Sequence, residues 1–157
     1  MRYKGTLIAV KDMERAKRFY GDVMGLDVVM DAGANVELTG GVFLQTATTW
    51  ATFIRKPEED ITFVNNAVEL YFETDDIDGF AEKLATVADI VYVHPLLEHS
   101  WGQRAVRFYD ADGHILEVAE NMVTVTQRWI DGGLTIEQAA ARMDADVAYV
   151  AALLAQA

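Results

Sequence analysis

The feature that most constrains the fold is an internal repeat, in which a strand, a helix and three further strands are predicted twice in succession. In each copy, short apolar segments are bounded by Gly and Asp residues, and one segment has apolar residues at helical spacing. The copies cover about residues 4–50 and 66–120. Two copies predict a pseudo-symmetric α+β domain rather than a solenoid, which needs three or more repeats.

The first copy begins with a predicted strand, Gly5–Val10, followed by Asp12, a good N-cap for a helix. Gly25 stands where that helix should end, because a left-handed residue is often needed there. The three strands that complete the copy are predicted at Asp27–Met30, Asn35–Leu38 and Val42–Thr46.

The second copy begins with a predicted strand at Val68–Thr74, and Asp75 and Asp76 precede its helix. Its later strands are predicted at Ile90–Val93, Arg104–Tyr109 and His114–Ala119, with a further short one near Leu96–Glu98. Between the copies, Ala51–Asn65 contains a proline and no sustained periodicity, so it is predicted to be a linker or surface loop.

Aligning the two copies marks four equivalent positions at the first and last strands. The alignment places Gly5 opposite Glu69, and Gln45 opposite Glu117. Strand alternation places Glu69 and Tyr71 on one face of their strand. If both glutamates enter the same cavity, their repulsion must be relieved by a cation, by an arginine or by protonation of one carboxylate.

Three segments of the chain resemble the vicinal oxygen chelate superfamily, which includes glyoxalase I, extradiol dioxygenases and the fosfomycin- and bleomycin-resistance proteins. The segments are LIAVKDMERAKRFYGDVMGLDVV, VELYFETDDIDGFAEKL and VRFYDADGHILEVAE. The resemblance implies that two β-α-β-β-β modules form a cupped half-barrel, with helices outside and a ligand cavity inside. It also implies a homodimer, since members of the family are often dimers.

Metal-using members of this family place ligands at the four positions that the repeat marks. Here Gly5 has no side chain and no histidine occupies the other three positions, which argues against an oxygen-activating iron site. The resemblance leaves Gln45, Glu69 and Glu117 as ligands of a weak site for Ni²⁺, Zn²⁺, Mn²⁺ or Mg²⁺, or for no metal.

The same resemblance gives the two carboxylates a catalytic role, because a carboxylate beside the metal moves a proton in the isomerase and lyase members. Glu69 and Glu117 are therefore the candidate catalytic residues. The alternative is structural, with both carboxylates bound to Arg104 or Arg107 and holding the sheets together.

Five other side chains are candidates for binding a ligand. His99 and Trp101 occupy a turn that mixes aromatic and polar groups, and Trp101 could instead cover a sheet edge. Arg107 is expected to pair with a glutamate or to meet an anionic ligand. The other candidates are Tyr71 and Trp50, and Trp50 is alternatively a core aromatic at a strand end. His94 and His114 are interpreted as structural residues.

Composition excludes several classes of partner and site. The net charge of −12 argues against nucleic acid and anionic membranes, and the absence of cysteine excludes disulfides and thiolate sites. The N-terminal residues have no signal-peptide pattern and no apolar run is long enough for a membrane span, so a cytoplasmic protein is expected.

The domain described by the resemblance is predicted to end at residue 121, and residues 122–157 are predicted to be a helical extension. Gly132 and Gly133 should end its first helix, and Thr135 with Gln138 forms a capping-box pattern for the next. The extension is expected to dock on the domain or on a second subunit.

The leading functional hypothesis is a glyoxalase-like lyase or isomerase with a degenerate metal site, acting on a small organic molecule. The alternative is a metal-free protein of the bleomycin-resistance type, which binds a small molecule without catalysis; acidic walls would favour a cationic ligand there. A third possibility is a structural or regulatory protein that acts through the C-terminal helices.

Overall fold

The computed structural model describes residues 1–156, in which eight strands and six α-helices give an α+β fold. The chain forms two compact units: residues 1–68 with 109–114, and residues 69–108 with the chain from residue 115 onward. Each unit contains a four-stranded sheet. Both β-α-β-β-β modules predicted from the repeat are confirmed.

The first unit contains a sheet with the strand order β1-β4-β3-β2. Its outer strand β1 is parallel to β4, and the β4–β3 and β3–β2 pairs are antiparallel. The elements are β1 (Thr6–Val10), α1 (Met13–Asp22), β2 (Val28–Asp31), β3 (Asn35–Leu38), β4 (Val42–Thr46) and α2 (Ala47–Ile54). The Asp12 carboxylate accepts a hydrogen bond from the Arg15 N–H at 2.9 Å, which confirms the predicted N-cap.

The turn at residues 109–114 contributes a buried polar centre to the first unit. Asp110 Oδ1 accepts hydrogen bonds from the backbone N–H groups of residues 112, 113 and 114, while Oδ2 accepts one from the Tyr20 hydroxyl at 2.8 Å. His114 Nδ1 lies 2.9 Å from the same Oδ2. These contacts satisfy a buried carboxylate, and they support the interpretation of His114 as structural.

The second unit contains a sheet with the strand order β5-β8-β7-β6, in which β5 is parallel to β8 and β6 is antiparallel to β7. Its elements are β5 (Glu69–Thr74), α3 (Ile77–Thr86), β6 (Tyr92–Glu98), β7 (Arg104–Tyr109), β8 (Ile115–Glu120), α4 (Met122–Asp131), α5 (Ile136–Met143) and α6 (Val147–Leu154). Asp76 caps α3 by accepting from the Gly79 N–H at 2.9 Å, as predicted.

The last three helices pack around a small apolar cluster, called the helical cluster below. Its buried members are Ala139, Ala140, Met143, Val150 and Leu153. The predicted capping box at the start of α5 is present, with both reciprocal hydrogen bonds between Thr135 and Gln138. None of the helices within residues 1–156 has the length and apolar content needed to cross a bilayer.

Two predictions about secondary structure are wrong. Part of the predicted loop Ala51–Asn65 belongs to α2, and residues Glu58–Asp60 form a short 3₁₀ turn. The helix is short and only Ala47 and Ala51 are buried in it, so the sequence has little amphipathic signal. The two strands predicted around Pro95 are one strand, β6, which tolerates proline because it lies at the sheet edge.

The three C-terminal helices belong to the same compact unit as the second sheet. The proposed boundary between residues 121 and 122 stays a prediction, and Ala157, the last residue of the proposed extension, lies outside the described residues.

Candidate functional site

Arg107 on β7 is the centre of a polar cluster in the second unit. Its Nε–H donates to Glu69 Oε2 at 3.0 Å, and its Nη2 forms an ion pair with Glu117 Oε2. The parallel strands β5 and β8 align Glu69 with Ile115 and Tyr71 with Glu117. One guanidinium therefore binds both of the carboxylates that the repeat marks.

Two histidines complete the surroundings of the guanidinium. Arg107 Nη1 lies 3.0 Å from His94 Nε2 and 3.2 Å from His99 Nε2. Because arginine only donates, both Nε2 atoms must accept, and both imidazoles must be neutral. His94 Nδ1 lies 2.9 Å from the Pro95 carbonyl oxygen, which also requires the proton on Nδ1. Three of the five guanidinium N–H groups thus have hydrogen-bond partners, and Nη2 is ion-paired with Glu117.

The environment of Glu117 raises the pKa of its carboxyl group. Its side chain is only 3% exposed, whereas that of Glu69 is 39% exposed. Burial raises the pKa of Glu117, the Arg107 charge opposes this shift, and the Glu69 carboxylate raises the pKa further. The pKa of His99 is lowered, mainly by burial and then by Arg107 and His94. The cluster therefore combines one fixed cation with a buried carboxyl group whose pKa is raised.

An aromatic and amide network continues from His99 towards β5. The Trp101 indole stacks on the His99 ring, with centroids 4.3 Å apart and planes at 3°. Trp101 Nε1 donates to Gln103 Oε1 at 3.1 Å, and Gln103 Nε2 donates to the Tyr71 hydroxyl at 2.9 Å. Tyr71 in turn donates to Glu73 at 2.6 Å. These bonds fix the half-exposed Tyr71 ring beside the carboxylates.

The two marked positions of the first copy, Gly5 and Gln45, provide no free metal ligand. At Gly5, a Cβ atom would overlap the Gly41 carbonyl oxygen, so this backbone leaves no room for a side chain. The Gln45 amide is buried and already bonded: Nε2 donates to Thr49 Oγ1, and Oε1 accepts from Asn35 Nδ2 at 2.8 Å. Both polar atoms of the predicted ligand Gln45 therefore have partners within their own unit.

The side chains do not fit the divalent ion that the resemblance implies. Within residues 1–156, no group of three or more His, Cys, Asp or Glu side chains is placed to hold a metal. An ion at Glu69 and Glu117 would have to displace the Arg107 guanidinium. The metal site stays a prediction, and no chemistry is derived through it.

Most of the predicted site residues lie in one connected network of the second unit, whose members are Glu69, Tyr71, His99, Trp101, Arg107 and Glu117. Gln45 and Trp50 belong to the first unit, where Trp50 lies within α2 rather than at a strand end. Arg104, the other arginine considered for the glutamates, binds Asp78 and Glu120 instead.

Three members of the network are not among the site residues predicted from the sequence. One of them is Glu73, the acceptor of the Tyr71 hydroxyl. His94, which the sequence pattern predicts to be structural, lies within β6 opposite Arg107, where the strand register shifts. Gln103 is buried and joins Trp101 to Tyr71. Its place next to the His99–Trp101 turn was the available signal, but only the sheet register brings it to Tyr71.

Comparison with known proteins agrees with this architecture. Residues 3–123 match the model of the family described as Glyoxalase-like domain. No protein of curated function matches the chain.

Among solved structures, a protein of unknown function from Agrobacterium tumefaciens str. C58 is 33% identical, with a TM-score of 0.68, and the match covers 77% of this chain and 94% of that one. A member of the glyoxalase/bleomycin resistance protein/dioxygenase superfamily from Sphaerobacter thermophilus is 27% identical, with a TM-score of 0.58 over 77% of this chain and 98% of that one. A lactoylglutathione lyase from Agrobacterium tumefaciens, 23% identical, has the same fold, with a TM-score of 0.60 over 78% of this chain and 95% of that one. The chain therefore belongs to the Glyoxalase-like domain family, within the vicinal oxygen chelate superfamily.

Proposed function

We propose that this protein binds a small organic molecule, without a metal ion, on the polar face around Arg107. The observation that supports this proposal is the binding of both Glu69 and Glu117 by one guanidinium. Two carboxylates placed close together need a compensating positive charge, and Arg107 supplies it permanently because arginine stays protonated. The alternative hypothesis from the sequence, a binding protein of the bleomycin-resistance type, is therefore favoured.

The charges around Tyr71 favour a cationic, partly aromatic ligand. Glu69 and Glu73 are exposed carboxylates on either side of Tyr71 in β5, and the Tyr71 side chain is half exposed. A cation over a tyrosine ring is attracted by the ring quadrupole, and neighbouring carboxylates add to this attraction. The net charge of −12 also raises the local concentration of cations.

A calorimetric titration tests the metal-free part of the proposal. We expect Ni²⁺, Zn²⁺, Mn²⁺ and Mg²⁺ to give no saturable binding to wild type, and Arg107→Met to gain binding because both carboxylates are released. Wild-type binding that disappears in a Glu69→Ala, Glu117→Ala variant would contradict the proposal and restore the metal-dependent hypothesis.

The ligand class is tested with two probes of similar shape, the cation benzyltrimethylammonium and the anion phenylacetate. We expect only the cation to shift the NMR signals of Tyr71, and a Glu69→Gln, Glu73→Gln variant to weaken its binding. A Glu58→Gln, Glu59→Gln variant is the matched control, because it removes the same charge from the exposed 3₁₀ turn of the other unit. Equal weakening in both variants, or binding of phenylacetate alone, would contradict a cationic ligand.

A second candidate function is a glyoxalase-like lyase or isomerase in which Glu117 transfers a proton. Its support is the buried Glu117 carboxyl, whose pKa is raised by burial and by Glu69. The test is the conversion of the methylglyoxal–glutathione hemithioacetal, with and without added divalent ions, by wild type and by Glu117→Gln. Turnover that Glu117→Gln abolishes would favour this function over binding alone.

The homodimer implied by the family stays a proposal for this chain. Light scattering on the purified protein at several concentrations distinguishes a dimer from a monomer.

A further inference from the structure

We propose that the C-terminal helices support the polar face around Arg107, called the ligand face below. In this proposal Trp129 and Arg128 on α4 are positioning residues for the turn His99–Gln103. The role rests on the proposed function, since the turn supplies His99 and Trp101 to the ligand face. The family match ends at residue 123, so α5 and α6 lie outside the region that it describes.

The first observation is that α4 contacts the backbone of this turn. Arg128 Nη2 donates to the Gly102 carbonyl oxygen at 2.6 Å. Gly102 has φ +87°, and a Cβ atom there would overlap the Trp129 indole ring. Two backbone hydrogen bonds close the turn. The Gly102 N–H donates to the His99 carbonyl oxygen (2.8 Å), and the His99 N–H donates to the Gln103 carbonyl oxygen (2.9 Å). Only glycine satisfies both the conformation and the close approach of Trp129.

The second observation is that both α4 residues are themselves fixed. The Arg142 guanidinium on α5 lies 3.9 Å from the centroid of the Trp129 ring, and Trp129 packs against the helical cluster. Arg128 donates to both oxygens of the buried Glu120, at 2.7 and 3.0 Å. Burial opposes the ionisation of Glu120, but Arg128 and Arg104 outweigh burial and lower its pKa to about 2. Glu120 therefore stays charged and keeps Arg128 in place.

The third observation links the turn to Arg107. Trp101 packs against the helical cluster and stacks on His99, whose Nε2 accepts from Arg107. The contacts from the helices to the guanidinium are therefore continuous. Trp129 and Arg128 contact Gly102, while the turn and the helical cluster hold Trp101 in place. Trp101 in turn orients the His99 ring. His94 offers an internal comparison, because its Nδ1 is bonded to the Pro95 carbonyl oxygen and its link to the helices is indirect, through the edge-to-face contact with the His99 ring and the shared Arg107 Nη1.

The test measures the ring nitrogens of His94 and His99 by long-range ¹H–¹⁵N NMR as a function of pH, in the full chain without ligand. In wild type we expect two neutral rings protonated on Nδ1 near neutral pH. In Trp129→Leu we expect the pKa of His99 to rise towards its ordinary value, because the ring loses burial and its contact with Arg107. The signals of His94 should change less, because its Nδ1 keeps the bond to the Pro95 carbonyl oxygen and only its contact with the His99 ring is affected.

Leu84→Ala is the matched control, because Leu84 is buried on α3 of the same unit but is not part of the helical cluster. It should lower the melting temperature without changing either histidine. An unchanged His99 in folded Trp129→Leu, or an equal change in Leu84→Ala, would overturn the proposal.

If Trp129→Leu does not fold, Arg142→Gln serves instead, since it removes only the guanidinium from the Trp129 ring. A smaller rise in the pKa of His99 is expected there, and no change in either histidine would overturn the positioning role. Because the measurement needs no ligand, it is independent of the binding proposal. Failure of benzyltrimethylammonium to bind would count against the proposed function alone.

Discussion

The two copies of the repeat have the same order of elements but different chemistry at equivalent positions. In the first copy, Gly5 lies against Gly41, the residue before β4, and the Gln45 amide is bonded to Asn35 and Thr49. In the second copy, Glu69 and Glu117 bind a guanidinium that also contacts two histidines. The first module is close-packed and hydrogen-bonded at these positions, whereas the second carries ionisable groups, so two modules with the same order of elements differ in their chemistry.

The largest effect is expected from restoring a ligand-type residue to the first copy. Gly5→His should destabilise the protein by roughly 3 kcal/mol or more, because Gly5 has φ +153° and a Cβ atom overlaps the Gly41 oxygen. Urea denaturation measures this loss. Gly21→Ala in α1 is the matched control, with no atom closer than 3.8 Å to the new Cβ, and should be neutral or stabilising by about 1 kcal/mol. A fully stable Gly5→His protein would show that the first copy can still accept a ligand.

The next largest effect should follow removal of the guanidinium from the second copy. Arg107→Met is expected to cost about 3 kcal/mol at neutral pH, because the buried Glu117 loses its counter-charge. The folded-state pKa of Glu117 is already raised and should rise further in the variant. When the pKa of a carboxyl group is higher in the folded state than in the unfolded state, the folded protein loses stability as pH rises from the unfolded pKa to the folded pKa. The difference in the free energy of unfolding between wild type and Arg107→Met should therefore become smaller as pH falls.

Denaturant unfolding of Arg107→Met at several pH values measures this dependence, with the exposed Arg18→Met as the control for loss of one positive charge. A deficit that stays constant with pH would argue that Glu117 is ionised in the folded variant.

The pKa of Glu120 is shifted in the opposite direction from that of Glu117 on the same strand. Glu120→Gln is expected to cost about 2 kcal/mol near neutral pH, since the carboxylate binds both Arg104 and Arg128. The folded pKa of Glu120 is about 2, below the ordinary value of 4.5. The contribution of this carboxylate is complete above the ordinary value and is lost as pH falls towards 2. Wild type and variant should therefore converge on acidification, and a difference that persists would contradict the ion-pair explanation.

The smallest effect is expected at Gln45. Gln45→Met should cost about 1 kcal/mol, because Asn35 Nδ2 and Thr49 Oγ1 each lose a hydrogen-bond partner. Calorimetric titration with Ni²⁺ or Zn²⁺ should give the same result as wild type. Metal binding that is present in wild type and lost in Gln45→Met would indicate that Gln45 is a metal ligand, as the family resemblance implies.

Much of the fold was predictable because its signals are local. The N-caps Asp12 and Asp76 and the capping box of Thr135 and Gln138 each depend on residues three positions apart or fewer, and all three are present. The helix α2 was missed because its periodicity is weak and it has no side-chain cap. Its first turn follows directly from β4, so the strand signal hides where the helix begins.

The candidate site was predicted in part. Strand alternation alone places Glu69 and Tyr71 on one face, and the repeat alone marks Glu117. The sequence does not distinguish Arg107 from Arg104 as the partner of the two glutamates, because both arginines lie on one strand near several acidic residues. The contact of Arg107 with His94 could not be predicted, since it depends on a register shift between β6 and β7.

The sequence by itself determined the two modules, their order of strands and helices, and the carboxylates of the second copy, because periodicity, caps and repeats act over short stretches of chain. Only the tertiary structure decided which cation meets those carboxylates and that the C-terminal helices hold the His99–Gln103 turn. Such pairings depend on strand register and on packing between residues distant in the chain, and many alternative pairings satisfy the same local pattern.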